Sequence, residues 1–285
     1  MKNKLVLLLF YLTLIFTLSA QPYSPFSRNV TDIHTVDSAY LCVYYAFNAI
    51  NIHDESTYED LQKLEIGNDL SKYYSYFLFI DDSLTTDWGK KHPHAATVPN
   101  HVGLKIKDPD TWSENHYSEY FKDFLHNQLT VYIQMPYPLG RVSSQYTEEL
   151  PVQNWNISND TLTVAGYLCQ KATCSFRGRN YTAWFTMDIP VSNGPCKFGG
   201  LPGLILKVYD NDKLFTFECS KIENMSKKCA INKFNNFDKY KITERTNFLK
   251  FLKDVHENYY QMAQFIFPPG ALIPKLKKYN LLELE

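Results

Sequence analysis

This sequence predicts a mainly β fold of the α+β type: an antiparallel, strongly bent sheet or half-barrel with one mid-chain helix and a C-terminal amphipathic helix. Three observations predict it. Aromatic residues make up 15% of the chain, with 21 Tyr and 19 Phe, and such side chains favour pleated, half-buried surfaces. Tyr181, Ala183, Phe185, Met187 and Ile189 alternate with Thr182, Trp184, Thr186 and Asp188, which is the two-residue period of a strand. Phe248, Leu252, Val255, Tyr259 and Met262 recur at steps of four and three, a single apolar stripe along a helix.

In chain order, residues 21–38 read as a polar arm and 39–50 as a first strand rich in Tyr, Val and Phe. Residues 61–66 give a second strand, ended by Gly67-Asn68-Asp69, and 72–80 a third. Residues 81–109 read as a long loop. Trp112, Tyr117, Phe121 and Leu125 recur near helical spacing, with Asp110 or Ser113 as cap, and this is the predicted mid-chain helix. Residues 129–135 return to strand and stop at Pro136 and Pro138. Residues 143–149 alternate, and 161–176 form a long strand or a bent pair. Residues 204–209 and 214–222 make a hairpin across Asp210-Asn211-Asp212. Thr243 caps the last helix and Pro268-Pro269 stops it.

The N-terminus orders its residues as a secretory signal peptide does. Lys2 and Lys4 precede an apolar run from Leu5 to Phe16, and a small residue, Ala20, comes before Gln21. The run is short for a membrane span. Residues 1–20 are therefore expected to be cleaved, and 21–285, undivided by any linker or repeat, to form one soluble domain. The expected location is the periplasm, the outer membrane or the extracellular space. A formal net charge of -1 gives no basic excess for nucleic acid.

Export also frames the six cysteines, Cys42, Cys169, Cys174, Cys196, Cys219 and Cys229. An even number in an oxidising compartment favours disulfides. No Cys-x-x-Cys pair points to zinc or thiol exchange. Cys169 and Cys174 stand about 17 Å apart on a continuous strand. Either the chain bends near Thr173, or each has a distant partner.

The least ordinary run is residues 194–205, Gly194-Pro195-Cys196-Lys197-Phe198-Gly199 followed by Gly200-Leu201-Pro202-Gly203-Leu204-Ile205. Its glycines and prolines mark a shaped turn feeding a strand. Pro202 has no N–H to donate and belongs at a strand entrance. Leu204 and Leu206 share one face and Ile205 the other, so the C-terminal helix or a partner is expected to cover the second face. A phosphate loop is excluded, because no Gly-Lys-Ser/Thr ending follows.

This run resembles the GLPGLI family of exported Bacteroidetes proteins. Leu64-Glu65-Ile66-Gly67 with Ser71-Lys72-Tyr73-Tyr74-Ser75 is similar to the family's N-terminal signature. Gly166-Tyr167-Leu168-Cys169, Phe176-Arg177-Gly178-Arg179 and Ala183-Trp184-Phe185 are similar to its core block. Cys196 departs from the pattern, standing where the family often has an aromatic residue. The resemblance implies an exported, mostly β protein and brings no catalytic residue with it.

Three further readings concern chemistry. His92, His94 and His101 lie within ten residues and offer imidazoles for a transition metal, although no His-Glu-x-x-His is present. Arg177 and Arg179 flank Gly178 and offer forked donors to an anion, or to Asp188 or Glu218 across the sheet. No serine-nucleophile motif occurs. The sequence therefore favours a non-catalytic binding or assembly module, without cofactor, for an envelope protein or an apolar ligand. The alternatives are metal binding through the histidine loop and a cryptic hydrolase.

Overall fold

The computed structural model describes residues 19–20, 22–97, 99–107, 111–263, 275–276 and 279–285. Apart from Ser19 and Ala20, the predicted signal peptide lies outside them, as do Asp110 and the Pro268-Pro269 stop. Strands β1 (Ser19–Ala20) and β14 (Lys275–Leu276) pair in parallel as a small separate ladder.

The other strands form one 12-stranded sheet. They are β2 (Ile33–Phe47), β3 (Asp60–Ile66), β4 (Leu70–Ser75), β5 (Ser118–Asp123), β6 (Gln128–Ile133), β7 (Ser144–Glu149), β8 (Asn156–Val164), β9 (Tyr167–Phe176), β10 (Arg179–Thr186), β11 (Leu204–Asp210), β12 (Thr216–Phe234) and β13 (Lys241–Ile242). Their order is β13-β7-β6-β5-β4-β3-β2-β12-β11-β10-β9-β8. Every pairing is antiparallel except β13 with β7.

The sheet is open yet bent round on itself. From β7 to β10 is eight strand spacings, about 38 Å if the sheet were flat. Arg177, in the β9–β10 turn, nevertheless reaches Glu148 of β7 with an Nη2–Oε2 distance of 2.7 Å. One apolar core fills the inside and draws Tyr146, Val131, Tyr45, Phe217, Leu206 and Val164 from strands across the whole sheet. The stripe on α3 (Arg245–Met262) lies in this core, with Phe248, Leu252 and Val255 almost wholly buried. The tail crosses the gap: Leu281 and Leu282 carbonyls accept from Arg179, and Glu283 pairs with Arg177, Lys197 and Arg245. The outer face of the sheet is covered around Phe77, Cys42, Tyr44 and Ala46 by α1 (Tyr76–Lys91). Among the described residues no helix is long and apolar enough to cross a membrane.

Helix α1 corrects the sequence reading. Residues 72–80 split at Ser75, whose side chain accepts from Leu78 N and starts the helix. The apolar run Tyr76 to Ile80 suits strand or helix, and the cap decides. The predicted helix near Trp112 shrinks to one turn, α2 (Glu114–Tyr117), capped by Ser113. Tyr120 and Phe121 then point to opposite sides of β5, one into the main core and one into the cluster around Tyr132 and Phe237. Thr243 does not cap α3; Glu244 occupies that position, without a side-chain cap bond. The 161–176 segment is a bent pair, turning at Ala165 and Gly166, both with positive φ.

Candidate functional site

A cavity of about 310 Å³ opens where five segments meet. Asn48, in the left-handed region at the end of β2, ties three of them together. Its Nδ2 donates to Glu59 Oε2 (2.9 Å) and to the Leu214 carbonyl (3.0 Å), while its Oδ1 accepts from Thr216 N (2.8 Å). The capped turn of α2 presents Asn115 and His116, and Gln62 fixes it by donating to the Asn115 carbonyl. Tyr279 from the tail forms a further wall, and Lys107 stands exposed at the rim.

His116 is the unusual member. It is 4% exposed, and neither ring nitrogen has a hydrogen-bond partner. Its Nε2 stands 3.9 Å from Glu59 Oε1, beyond hydrogen-bond reach. Burial pulls its pKa down to about 4, so the ring is neutral near pH 7. A neutral imidazole offers one donor and one acceptor, and each left unmade in a buried place costs about 1–3 kcal/mol.

A hydrogen-bonded cluster backs the inner wall. Tyr279 donates to Glu114 Oε2, which also lies 3.2 Å from His256 Nε2. The Tyr279 and His256 rings stack at 3.5 Å, and Trp112 leans on His256 at 5.2 Å. Burial, then the Glu114 carboxylate, holds the Tyr279 hydroxyl well above its ordinary pKa. Beside Phe47, Trp112, Leu214 and Phe215, the lining offers amide, carboxylate, imidazole, hydroxyl and ammonium groups of both charge signs. That suits a small polar molecule better than the apolar ligand the sequence suggested. Of these residues Ser113 stood out in the sequence as a cap and Trp112 as part of a helical stripe; a Glu and a His inside the aromatic segment 112–117 were the available signal for the rest.

The residues singled out earlier fall elsewhere. His92 ends α1, stacked on Trp88, with Nδ1 2.8 Å from the Trp88 carbonyl, and His94 is exposed. His101 instead turns to Asp81. Among the described residues no three His, Cys, Asp or Glu side chains are placed to hold a metal. Arg177 and Arg179 meet anions of their own chain, Glu148, Glu283 and Asp210, rather than Asp188 or Glu218.

The cysteines are not joined as expected. Cys42, Cys169, Cys174, Cys196 and Cys219 are buried free thiols. On the ladders Cys169 faces Leu162, Cys174 faces Tyr181, Cys219 faces Tyr45 and Cys229 faces Ala39, so none of these stands opposite another cysteine. Strand β9 runs unbroken through Thr173, so no bend brings Cys169 to Cys174. Burial raises the thiols, Cys42 and Cys169 to about 11 and Cys196 and Cys219 to about 12, which leaves them protonated and unreactive.

The apolar residues of the glycine-rich run lie inside the fold, while Gly200 and Pro202 are exposed. Leu201, Leu204, Ile205 and Leu206 are at most 1% exposed. Pro202 stands just ahead of β11, at a strand entrance as expected. The loop before it packs closely on Ile205: a Cβ on Gly194 would stand 3.0 Å from Ile205 Cβ. Lys122 fastens that loop by donating to Asn193 Oδ1, the Gly194 carbonyl and the Phe198 carbonyl. Trp155 adds a 2.7 Å bond to the Gly199 carbonyl.

Comparisons with known proteins give little more. Residues 177–207 match the model of a family described as a protein of unknown function, Porph_ging. No curated protein matches. Two solved structures are similar over most of this chain but only about a third of their own length. "Structure of PNGF-II in P21 space group" is 13% identical with a TM-score of 0.46, covering 78% of this chain and 34% of that one. "Structure of PNGF-II in C2 space group" is 15% identical with a TM-score of 0.47, covering 77% and 33%.

Proposed function

We propose that this chain is an exported envelope protein of the GLPGLI type whose β-rich domain binds a small polar ligand in the cavity beside His116. The observation that carries the reading is His116 itself, buried at the cavity wall with both ring nitrogens unpartnered and Glu59 3.9 Å away. A ligand with one acceptor and one donor completes both. Asn48, Asn115 and Ser113 supply neutral hydrogen-bonding groups around it. Lys107 and Glu59 add one charge of each sign, which favours an uncharged or zwitterionic molecule. Export rests on the order of residues 1–20, and family type on the run from Gly194 to Ile205.

The test is equilibrium binding of monosaccharides, amino acids and dipeptides to the wild-type chain and to His116→Phe. The substitution keeps the ring volume and removes the unpartnered nitrogens, so the variant is expected to melt no lower than the parent. Wild type is expected to bind at least one probe class, with a loss of at least about tenfold in the variant. Equal binding by both chains, or no binding of any class by a folded wild type, overturns the reading.

A further inference from the structure

We propose that Ser24, His101 and Asp81 form a catalytic triad that cleaves carboxylic esters with an apolar acyl group. Nothing in the sequence motifs marks these residues as partners, and the proposal does not depend on the cavity beside His116. The structure brings them together from three places: the N-terminal arm, the loop after α1, and the second turn of α1. Ser24 Oγ lies 3.1 Å from His101 Nε2. On the far side of the same ring, Nδ1 lies 2.6 Å from Asp81 Oδ2.

Asp81 is fully buried. Its Oδ1 accepts from Val102 N and Gly103 N, both at 2.9 Å, so the loop carrying His101 is fastened to the carboxylate that orients the ring. Ser27 also donates to Oδ2, at 3.0 Å. Burial by itself would raise Asp81, but the bonds from His101 and the two amides hold it below its usual value. An ionised carboxylate at Nδ1 keeps the proton on that nitrogen and leaves Nε2 to accept from the serine, the division of labour a serine hydrolase needs.

Two other features complete a site. The Tyr117 hydroxyl lies beside Ser24, in hydrogen-bonding range of it, on a side chain only 3% exposed. A buried donor next to the nucleophile is placed to stabilise an oxyanion. Solvent reaches the pair, with Ser24 8% and the His101 side chain 12% exposed. Around them Tyr23, Phe26 and Val102 are 44%, 58% and 41% exposed, and Phe26 packs edge-on against Tyr137 at 5.2 Å. Exposed apolar side chains flanking both Ser24 and His101 fit an apolar acyl chain.

The reaction closes on water alone. Ser24 Oγ attacks the ester carbonyl carbon and its proton passes to His101 Nε2. The tetrahedral oxyanion takes a hydrogen bond from Tyr117. The bond from carbonyl carbon to alkoxy oxygen breaks, His101 returns the proton to that oxygen, and the alcohol leaves. Water then gives a proton to His101 and its oxygen to the acyl carbon. Ser24 departs from that carbon and recovers the proton, and the acid is released.

The experiment treats the purified chain with a fluorophosphonate probe and, separately, with p-nitrophenyl butyrate. The probe is expected to add at Ser24, located by peptide mass mapping. Ester cleavage is expected to fall by at least about 100-fold in Ser24→Ala and in His101→Ala. If either variant fails to fold, probe addition to the wild-type chain still decides. Absence of adduct at Ser24 in folded wild type, or ester cleavage that survives in Ser24→Ala, overturns the proposal and leaves the trio as a clamp between arm, helix and loop.

Discussion

Gly203→Ala places a methyl group just ahead of β11, against the end of β10. Its Cβ would stand 1.9 Å from the Thr186 carbonyl oxygen, 2.7 Å from the carbonyl carbon and 3.2 Å from Met187 Cα. Ordinary contacts between such atoms need more than about 3 Å, so one backbone must move by more than an ångström. Leu204 pairs with Thr186 on the ladder, and its N donates to the Ile189 carbonyl at 3.0 Å. The neighbouring Ile205 N donates to the Asn193 carbonyl at the same distance. Overpacking of this kind costs about 1–3 kcal/mol, and loosening one or two such bonds adds about 1 kcal/mol each. We expect a loss of about 2–5 kcal/mol, read by urea unfolding followed through tryptophan fluorescence. Gly199→Ala is the internal control: its nearest new contact is the Ser192 carbonyl oxygen at an ordinary 3.6 Å, so the loss there should stay under about 1 kcal/mol. If Gly203→Ala unfolds within 1 kcal/mol of the parent, close backbone approach is not what the run requires.

Arg28→Ala is expected to cost about 3–5 kcal/mol in the same assay. It strips the buried Asp82 and Glu119 carboxylates of a shared cation; a loss under 1 kcal/mol would contradict the pairing. His116 gives a pH signature. Below about pH 6.5 the unfolded chain takes up a proton that the folded chain, with His116 near pKa 4, refuses. The associated stability is complete above pH 6.5 and is lost as pH falls towards 4, amounting to about 3 kcal/mol. His116→Phe should remove that slope, and parallel pH–stability curves for the two chains would show it to be absent. The buried thiols predict that the denatured, unreduced chain takes up at least five alkylating groups, counted by mass; uptake of two or fewer would mean that they pair after all.

The legible parts of the fold are those where local pattern and tertiary environment agree. Strands β9 to β11 bury one face or both, so their alternation or apolar runs survive in the sequence. The hairpin at Asp210 was legible because its aspartate works locally, accepting from Phe215 N. The ends of the β2–β12 ribbon were not. Residues 33–38 and 229–234 pair with one another, but largely away from the core, so their polar composition reads as arm or loop. Helix α1 was hidden because its first turn is apolar all round, and only the Ser75 cap marks its start. The cavity residues were least legible. Asn48 and Glu59, Ser113 to His116, and Tyr279 sit far apart in the chain, and only the bending of the sheet and the return of the tail bring them together.

The most direct measurement of ligand binding at His116 is nitrogen-15 NMR of the histidine rings. Each ring is followed while the probe that binds best is titrated into the chain. The His116 nitrogens are expected to move to hydrogen-bonded shifts and saturate with the binding isotherm. His92 and His94, at the far end of α1, should stay unchanged. A probe that binds while the His116 signals stay fixed would place the ligand elsewhere and contradict the proposed site.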